Sequence, residues 1–332
     1  MLRTEIAEAV KNINIYELAQ KTEYAPLSLS TDEKLVSAEL DKHFREIGET
    51  GSDNNREIAT FIQRVVEEEL YNAPDEILDF MFDRGAVGEF DDIDLSISPK
   101  NTLVAYESAK GGNVPRSFLD ISKLTTTTKH LQVETEISYA DIRKNGWKSI
   151  ATLTNFAVES LKNKMFNIIF SAVSNGIASG ADNYITEANN SLTTTTMDAV
   201  ALYVNDRVTT GQPVIVALNK YIQQASKLTN FVSEDMKNEV HQKGKLGMYD
   251  GIQMRGISAA HKLGDGTLQF PDRLMLGIAG KIGEIDTKGA VRVYETMDNN
   301  DEKCHIKVTG FEFTYAFNNT SLEKVCKVVM TR

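Results

Sequence analysis

One long helical signal constrains everything around it. From Trp147 to about Val173, apolar residues recur at Trp147, Ile150, Leu153, Ala157, Leu161, Met165, Ile168, Ile169 and Ala172. The steps are threes and fours, and neither Gly nor Pro interrupts them before Gly176. At 1.5 Å per residue the run predicts a rod roughly 40 Å long. Asn155, Glu159, Lys162 and Asn163 fall on the other side, which predicts one buried stripe and one polar face. Such a rod is a spine on which the other elements must pack.

The chain before the spine changes character twice. Residues 1–85 read as short helices: Ile6, Val10, Ile13 and Tyr16 form one stripe, and Ser30 and Glu33 have capping-box spacing ahead of Val36, Leu40, Phe44 and Ile47. Ile58, Phe61, Ile62, Val65 and Val66 share a third face. Pro74 opens a last helix with Ile77, Leu78 and Met81, which Gly85 is expected to end in a left-handed conformation. This start is acidic. Residues 1–100 hold 10 Lys and Arg against 23 Asp and Glu, a balance of −13; the other 26 and 24 leave +2 for residues 101–332, within a total of −11. The expectation is a small separate helical unit with solvated acidic faces, which repels a phosphate backbone and argues against sequence-specific nucleic-acid binding.

From about 86 to 146 the pattern turns extended. Asp91-Asp92-Ile93-Asp94 marks a linker. Asn101–Ser108 and Arg116–Leu124 flank Lys110-Gly111-Gly112-Asn113-Val114-Pro115, whose glycines and proline make a bend, so a long β-hairpin with a flexible tip is expected. Its body carries few large apolar residues and cannot bury itself within its own chain. Leu131–Ile142 then alternates as a strand.

Beyond the spine, helices and strands mix. Met197, Val200, Ala201 and Val204 mark a helix; Pro213–Leu218 is a fully apolar run suited to a strand covered on both faces. Tyr221, Ile222, Ala225 and Leu228 resume helical spacing, and another helix is expected from about Ser233 to Gly244. Tyr249-Asp250-Gly251-Ile252 is a tight hairpin signal. Strands are expected at Leu274–Ala279, Val291–Thr296, His305–Phe317 and Leu322–Met330, with Phe311, Phe313, Tyr315 and Phe317 alternating onto one face. The class is α+β in mixed order, not a regular βαβ series.

Catalytic chemistry finds no foothold. His43, His130, His241, His261 and His305 are scattered without paired ligand spacing. Cys304 and Cys326 lie in strand-like stretches without CxxC spacing and read as small buried hydrophobes. Gly277, Gly280 and Gly283 lack the rest of a phosphate loop and read as turn glycines. The threonine runs Thr125–Thr128 and Thr193–Thr196 suit strand ends or loops. No apolar run approaches the ~18 residues of a membrane-spanning helix, and Met1-Leu2-Arg3-Thr4-Glu5 begins no secretion signal, so a soluble intracellular product without cofactor or metal is expected.

The order of elements carries the resemblance. Acidic helical start, extended arm, glycine-tipped hairpin, strand, spine helix, α/β unit and returning strands together resemble the tailed-bacteriophage major capsid proteins, with their HK-97-type fold. The resemblance implies an N-terminal arm at 86–102 after the helical subdomain 1–85, an extended loop (E-loop) at 103–130, and a peripheral (P) domain at 131–199 with its spine at 147–176. It further implies an axial (A) domain at 200–285 and return strands into the P domain at 286–332. The implied role is structural, not enzymatic: pentamers and hexamers closing into an icosahedral shell around double-stranded DNA bound without sequence specificity. Implied inter-subunit contacts sit at the loop tip, Lys110, Gly111, Gly112, Asn113, Pro115 and Arg116. Portal and scaffolding proteins, and decoration proteins, are the implied partners, and the implied location is the virion after assembly in the host bacterial cytoplasm. Residues 1–85 exceed a minimal arm and are expected to stay attached, facing the interior or a neighbour. Lys110 and Lys123 lie where some relatives crosslink, but no motif fixes a partner. The alternative within the same fold is an encapsulin-like shell of a bacterial nanocompartment.

Overall fold

Local capping and apolar spacing agree at the start of the chain, and helices form there. The computed structural model describes residues 13–50, 55–72, 76–88, 91, 103–107, 125–208, 211–228, 247–298, 302–317 and 319–331. Helix α1 (Ile15–Tyr24) begins at Asn14, whose side-chain oxygen accepts from the Glu17 amide at 3.0 Å. Before α2 (Thr31–Thr50) the expected capping box is closed: the Ser30 amide donates to Glu33 Oε2 at 2.7 Å, and the Glu33 amide donates to Ser30 Oγ at 3.2 Å. Two amides that a helix start leaves open are thereby satisfied. Helix α3 (Asn55–Glu67) buries Ile58, Phe61, Ile62, Val65 and Val66 and runs into a π-helical turn at Glu68–Asn72; α4 (Glu76–Met81) follows. Ile6 and Val10 lie outside the described residues, as does the helix expected near 233–244.

Gly85 does not cap a helix. It lies within strand β1 (Phe82–Val87) without a positive φ, opposite Asp286 in a parallel pairing with β8 (Gly283–Lys288). Pairing with the distant end of the chain overrides the local stop signal. Strands β2 (Thr125–Ser138), β9 (Arg292–Asp298) and β10 (Lys303–Phe317) complete a five-stranded sheet in the order β1-β8-β10-β2, with β9 also on β10. The first half of β10 pairs with β9 and the second half with β8, while β2 runs antiparallel along its other edge. The changeover is a bulge at Gly310, where φ is +84° and a Cβ would stand 2.8 Å from the Ala290 carbonyl oxygen. Phe311, Phe313, Tyr315 and Phe317 stack along one face as the alternation predicts, with neighbouring centroids 5.9, 6.2 and 6.0 Å apart.

After α5 (Tyr139–Asn145), the spine forms as α6 (Trp147–Gly176), 30 residues long. Its apolar stripe is buried as expected, except that Ile168 and Ala172 are only partly covered. Its polar face is only partly solvated, with Glu159 still 43% exposed. Asn155 and Asn163 are buried; Asn155 Nδ2 donates to Glu23 Oε2 at 2.9 Å, Lys162 pairs with Glu69, and Asn163 Nδ2 donates to the Lys262 carbonyl at 3.1 Å. The acidic helices therefore pack on the spine and share its core. A polar helix face reads the same in sequence whether water or a polar partner covers it.

The second sheet has six strands in the order β3-β11-β7-β4-β6-β5. Its members are β3 (Tyr184–Glu187), β4 (Val214–Leu218), β5 (Met248–Tyr249), β6 (Ile252–Ile257), β7 (Leu274–Ile278) and β11 (Val325–Met330). Helices α7 (Thr194–Asn205), α8 (Asn219–Ser226) and α9 (Asn319–Leu322) are the remaining described α-helices. β4 is buried at every position between β6 and β7, as its unbroken apolar run predicts. Asp250 and Gly251 turn the β5–β6 hairpin with φ of +47° and +79°. The last strand, β11, pairs with β3 and β7. Two expectations change. Thr193 is not a strand end: its Oγ1 accepts from the Thr196 amide at 3.3 Å and caps α7. Gly277 and Gly283 sit inside strands, where Val200 and the Ala316 carbonyl leave no room for a side chain; Gly280 alone of the three stays between strands.

The helical segment meets the spine at Trp147, the chain's single tryptophan. Its ring stacks on Phe44 at 5.9 Å and meets Phe61 edge-on at 5.4 Å. Truncating Phe44 to Ala is expected to cost about 3–5 kcal/mol and to shift native Trp147 emission to the red. An unchanged emission maximum in that variant would show that the indole is not seated in this cluster.

Candidate assembly surface

Among the described residues no three His, Cys, Asp or Glu side chains converge as metal ligands, and no helix is long and apolar enough to cross a membrane. His43, His130 and His261 each face a carboxylate on a different part of the molecule, Glu57 at 3.1 Å, Glu312 at 3.4 Å and Glu159 at 3.7 Å. Cys304 and Cys326 are buried. Burial pushes their thiols up to about 11 and about 12, so both stay protonated and unreactive.

What the surface does display is apolar area in separated places. Residues 103–107, the start of the expected loop, expose Leu103, Val104 and Tyr106. The tip residues Lys110, Gly111, Gly112, Asn113, Pro115 and Arg116 lie outside the described residues. Between β2 and the first half of the spine runs a groove of about 540 Å³, walled by Val133, Ile137, Leu153, Phe156 and Ala157. Phe156 is 52% exposed there. Sequence reading missed it, although a large aromatic one residue off the buried stripe was the available signal. Glu134, Glu136, Asp141 and Lys148 line the same groove, and Lys303 holds Glu136 at 2.9 Å. On the other sheet, Leu202 of α7 and Met248 of the two-residue edge strand β5 are exposed. Tyr249 fixes that corner by donating to Asp198 Oδ1 at 2.6 Å. Apolar patches on several sides suit a subunit with several neighbours.

These features gain a family from comparison. The profile of the family described as "SPbeta prophage-derived putative capsid protein YonB" matches residues 3–318. The chain belongs to this family. It is a phage capsid protein with a mixed α+β fold, and solved phage capsids show the same fold. A chain of the bacteriophage PhiM1 mature capsid aligns at TM-score 0.50 and 13% identity, covering 79% of this capsid chain and 90% of the other. The capsid of cyanophage P-SCSP1u aligns at 0.51 and 9%, covering 80% and 94%. A chain of the satellite phage P4 procapsid, a structure that includes the size determination (Sid) protein, aligns at 0.51 and 11%, covering 82% and 90%. No curated protein matches. A prophage capsid family favours the virus shell over the bacterial cargo shell.

One carboxylate stands out in the first sheet. Asp286 of β8 is buried between β1 and β10, its Oδ1 has no hydrogen-bond partner, and burial raises its pKa above the usual carboxylate range. A raised acid favours the fold when protonated, so its contribution is present below the unfolded pKa of ~3.9 and is lost as pH rises through the folded value. Asp286→Asn is therefore expected to raise the unfolding temperature more at pH 7 than at pH 4. An equal gain at both pH values would remove ionisation as the cause.

Proposed function

We propose that this capsid protein builds an icosahedral shell through hexamers and pentamers, enclosing double-stranded DNA held without sequence specificity. In this reading the loop at 103–130 of one subunit lies in the groove between β2 and α6 of the next. The observation that carries it is the exposed Phe156 in an apolar groove, beside a chain that presents Leu103, Val104 and Tyr106 outward. Leu103, Val104, Tyr106 and Phe156 are each about half exposed on the subunit, and a head-to-tail contact recurs around a closed ring. Weak contacts repeated this way add up to a stable shell. The tip residues Lys110 to Arg116 would then lie across the neighbour.

The proposed division keeps the helical segment 1–85, an arm at 86–102, a peripheral domain at 131–199 and an axial domain at 200–285. The last segment, 286–332, serves both sheets, since β9 and β10 join the first and β11 the second. The role is structural, without catalysis. Portal and scaffolding proteins, and decoration proteins, complete the particle, which forms in the host bacterial cytoplasm. The near-neutral remainder of the chain, residues 101–332, does not strongly repel packaged phosphate.

Negative-stain electron microscopy and sedimentation velocity on the protein expressed alone, and with a co-expressed scaffold, test the reading. Closed particles or five- and six-fold rings are expected. Phe156→Asp is expected to abolish them while changing subunit stability by no more than ~0.5 kcal/mol. A species that remains monomeric or dimeric under both conditions overturns the shell. Normal particles from the Phe156→Asp chain overturn the groove contact alone.

A further inference from the structure

Where β10 changes partners at its bulge, the first sheet opens a cleft of about 440 Å³ on the side opposite its buried aromatic row. Ile306 and Val308 are buried, so alternation puts Lys307 and Thr309 on the cleft side. There β9 sets Tyr294 opposite Lys307 and Arg292 opposite Thr309, and β8 sets Lys288 opposite Glu312. Three permanent cations, Lys288, Arg292 and Lys307, thus line the cleft with one carboxylate, Glu312, which His130 faces at 3.4 Å. Glu134 lies opposite Lys307 on β2, yet among the described residues neither Lys307 nor Lys288 has a carboxylate within ion-pair distance. Tyr294 is 52% exposed beside them.

The complementary charge lies on the same chain. Between Arg84 and Lys100 the sequence holds four carboxylates, Glu89, Asp91, Asp92 and Asp94, and no cation, with Phe90 and Ile93 among them. This run leaves the sheet next to the cleft. Val87 ends β1 opposite Lys288, and the Gly289 amide donates to the Val87 carbonyl at 3.1 Å. Asp91 nevertheless turns back on Gly88, its amide donating to the Gly88 carbonyl at 3.2 Å. Its side chain stands exposed and meets no cation among the described residues. One subunit therefore displays both halves of an ion-paired contact without bringing Asp91 to its own lysines. Two unlike halves on one chain make a heterologous contact, which a second copy completes and a ring repeats.

We propose that the acidic run around Asp91 of one subunit docks in the cleft between β8, β9 and β10 of a neighbouring copy. Carboxylates of the run meet Lys288 and Lys307, and its apolar residues cover the Tyr294 ring. The contact rests on the shell reading but is separate from the groove at Phe156, so a subunit is tied to its neighbours by two unlike surfaces. Opposite charges also select which surfaces meet, an effect that weakens as salt rises.

Charge reversal and cross-linking on the full chain test the contact. Lys288→Glu with Lys307→Glu is expected to cut the yield of particles at least tenfold, and adding Asp91→Lys with Asp92→Lys is expected to restore it. In particles carrying Asp91→Cys and Lys288→Cys, a short bismaleimide is expected to give a ladder of linked chains on a denaturing gel; Cys304 and Cys326 are buried and do not compete. Linkage confined to single chains would put the run in its own cleft and overturn the neighbour contact. Reversed-cleft particles of normal yield but lower DNA content would assign the lysines to packaged phosphate and overturn it too. A wild-type chain that never assembles ends the shell reading and this contact with it, whereas particles without linked chains, or no rescue by the second charge reversal, overturn this contact alone.

Discussion

The placement of Trp147 decides how the N-terminal third sits on the rest. Gly146 immediately before it has φ of +53°, and a Cβ there would stand 2.1 Å from Asp41 Oδ1. Only glycine permits that approach. The approach puts the Asp41 carboxylate over the start of the spine, where it accepts from the Trp147 amide at 3.1 Å. A negative group at a helix N-terminus satisfies an open donor and complements the helix dipole, an effect of about 0.3–1 kcal/mol in exposed settings. Asp41 also holds Arg45 at 2.8 Å, and Arg45 donates onward to the Arg143 carbonyl at 3.0 Å. The indole N–H donates to Thr22 Oγ1 at 3.2 Å. One turn of chain thus binds α1, α2 and the spine together.

The other end of the spine is treated symmetrically by a different part of the sequence. Lys327, from β11, donates its ammonium to the Ser174 carbonyl at 2.7 Å, placing positive charge at the helix C-terminus. Burial lowers the pKa of that lysine, so the carbonyls it meets are what keep the cation tolerable there. Asp41 lies in the helical segment and Lys327 in the second sheet. The spine is therefore clamped between two units that do not follow one another in the chain, and their relative position is set by its length. For a capsid subunit proposed to present apolar patches to several neighbours, such a rigid strut is the property that matters.

What sequence alone made legible follows this division between local and distant causes. The spine, the Ser30–Glu33 box, the Asp250-Gly251 turn and the buried strand β4 are all written in spacings of a few residues, and each formed as expected. β1 was not legible because its partner, β8, lies at the far end of the chain and no local signal competes with Gly85 as a helix stop. The crowded glycines of β7 and β8 misled for the same reason: a glycine chosen for close approach looks like one chosen for a turn. Of the proposed assembly surface, Asn101–Ser108 and Arg116–Leu124 were visible as an extended stretch poor in large apolar residues that could not bury itself, while Phe156 became visible only once β2 was known to lie beside it.

The acidic start shows most clearly how a composition can mislead about its use. A balance of −13 over residues 1–100 reads as solvated helix faces. Several of those carboxylates instead hold the fold together. Glu23 and Glu69 reach the spine, Asp41 caps it, and Glu33 closes its own helix start while accepting from Lys21 at 2.7 Å. Lys21 and the Ser30 amide hold Glu33 down at about 2, so this pairing persists through acid that would protonate an ordinary carboxylate. The excess charge is thus partly a docking code between helices and spine. Its partners are the polar positions Asn155 and Lys162, the same residues that made the spine look half solvated. Two polar faces that each seemed to belong to water belong to each other.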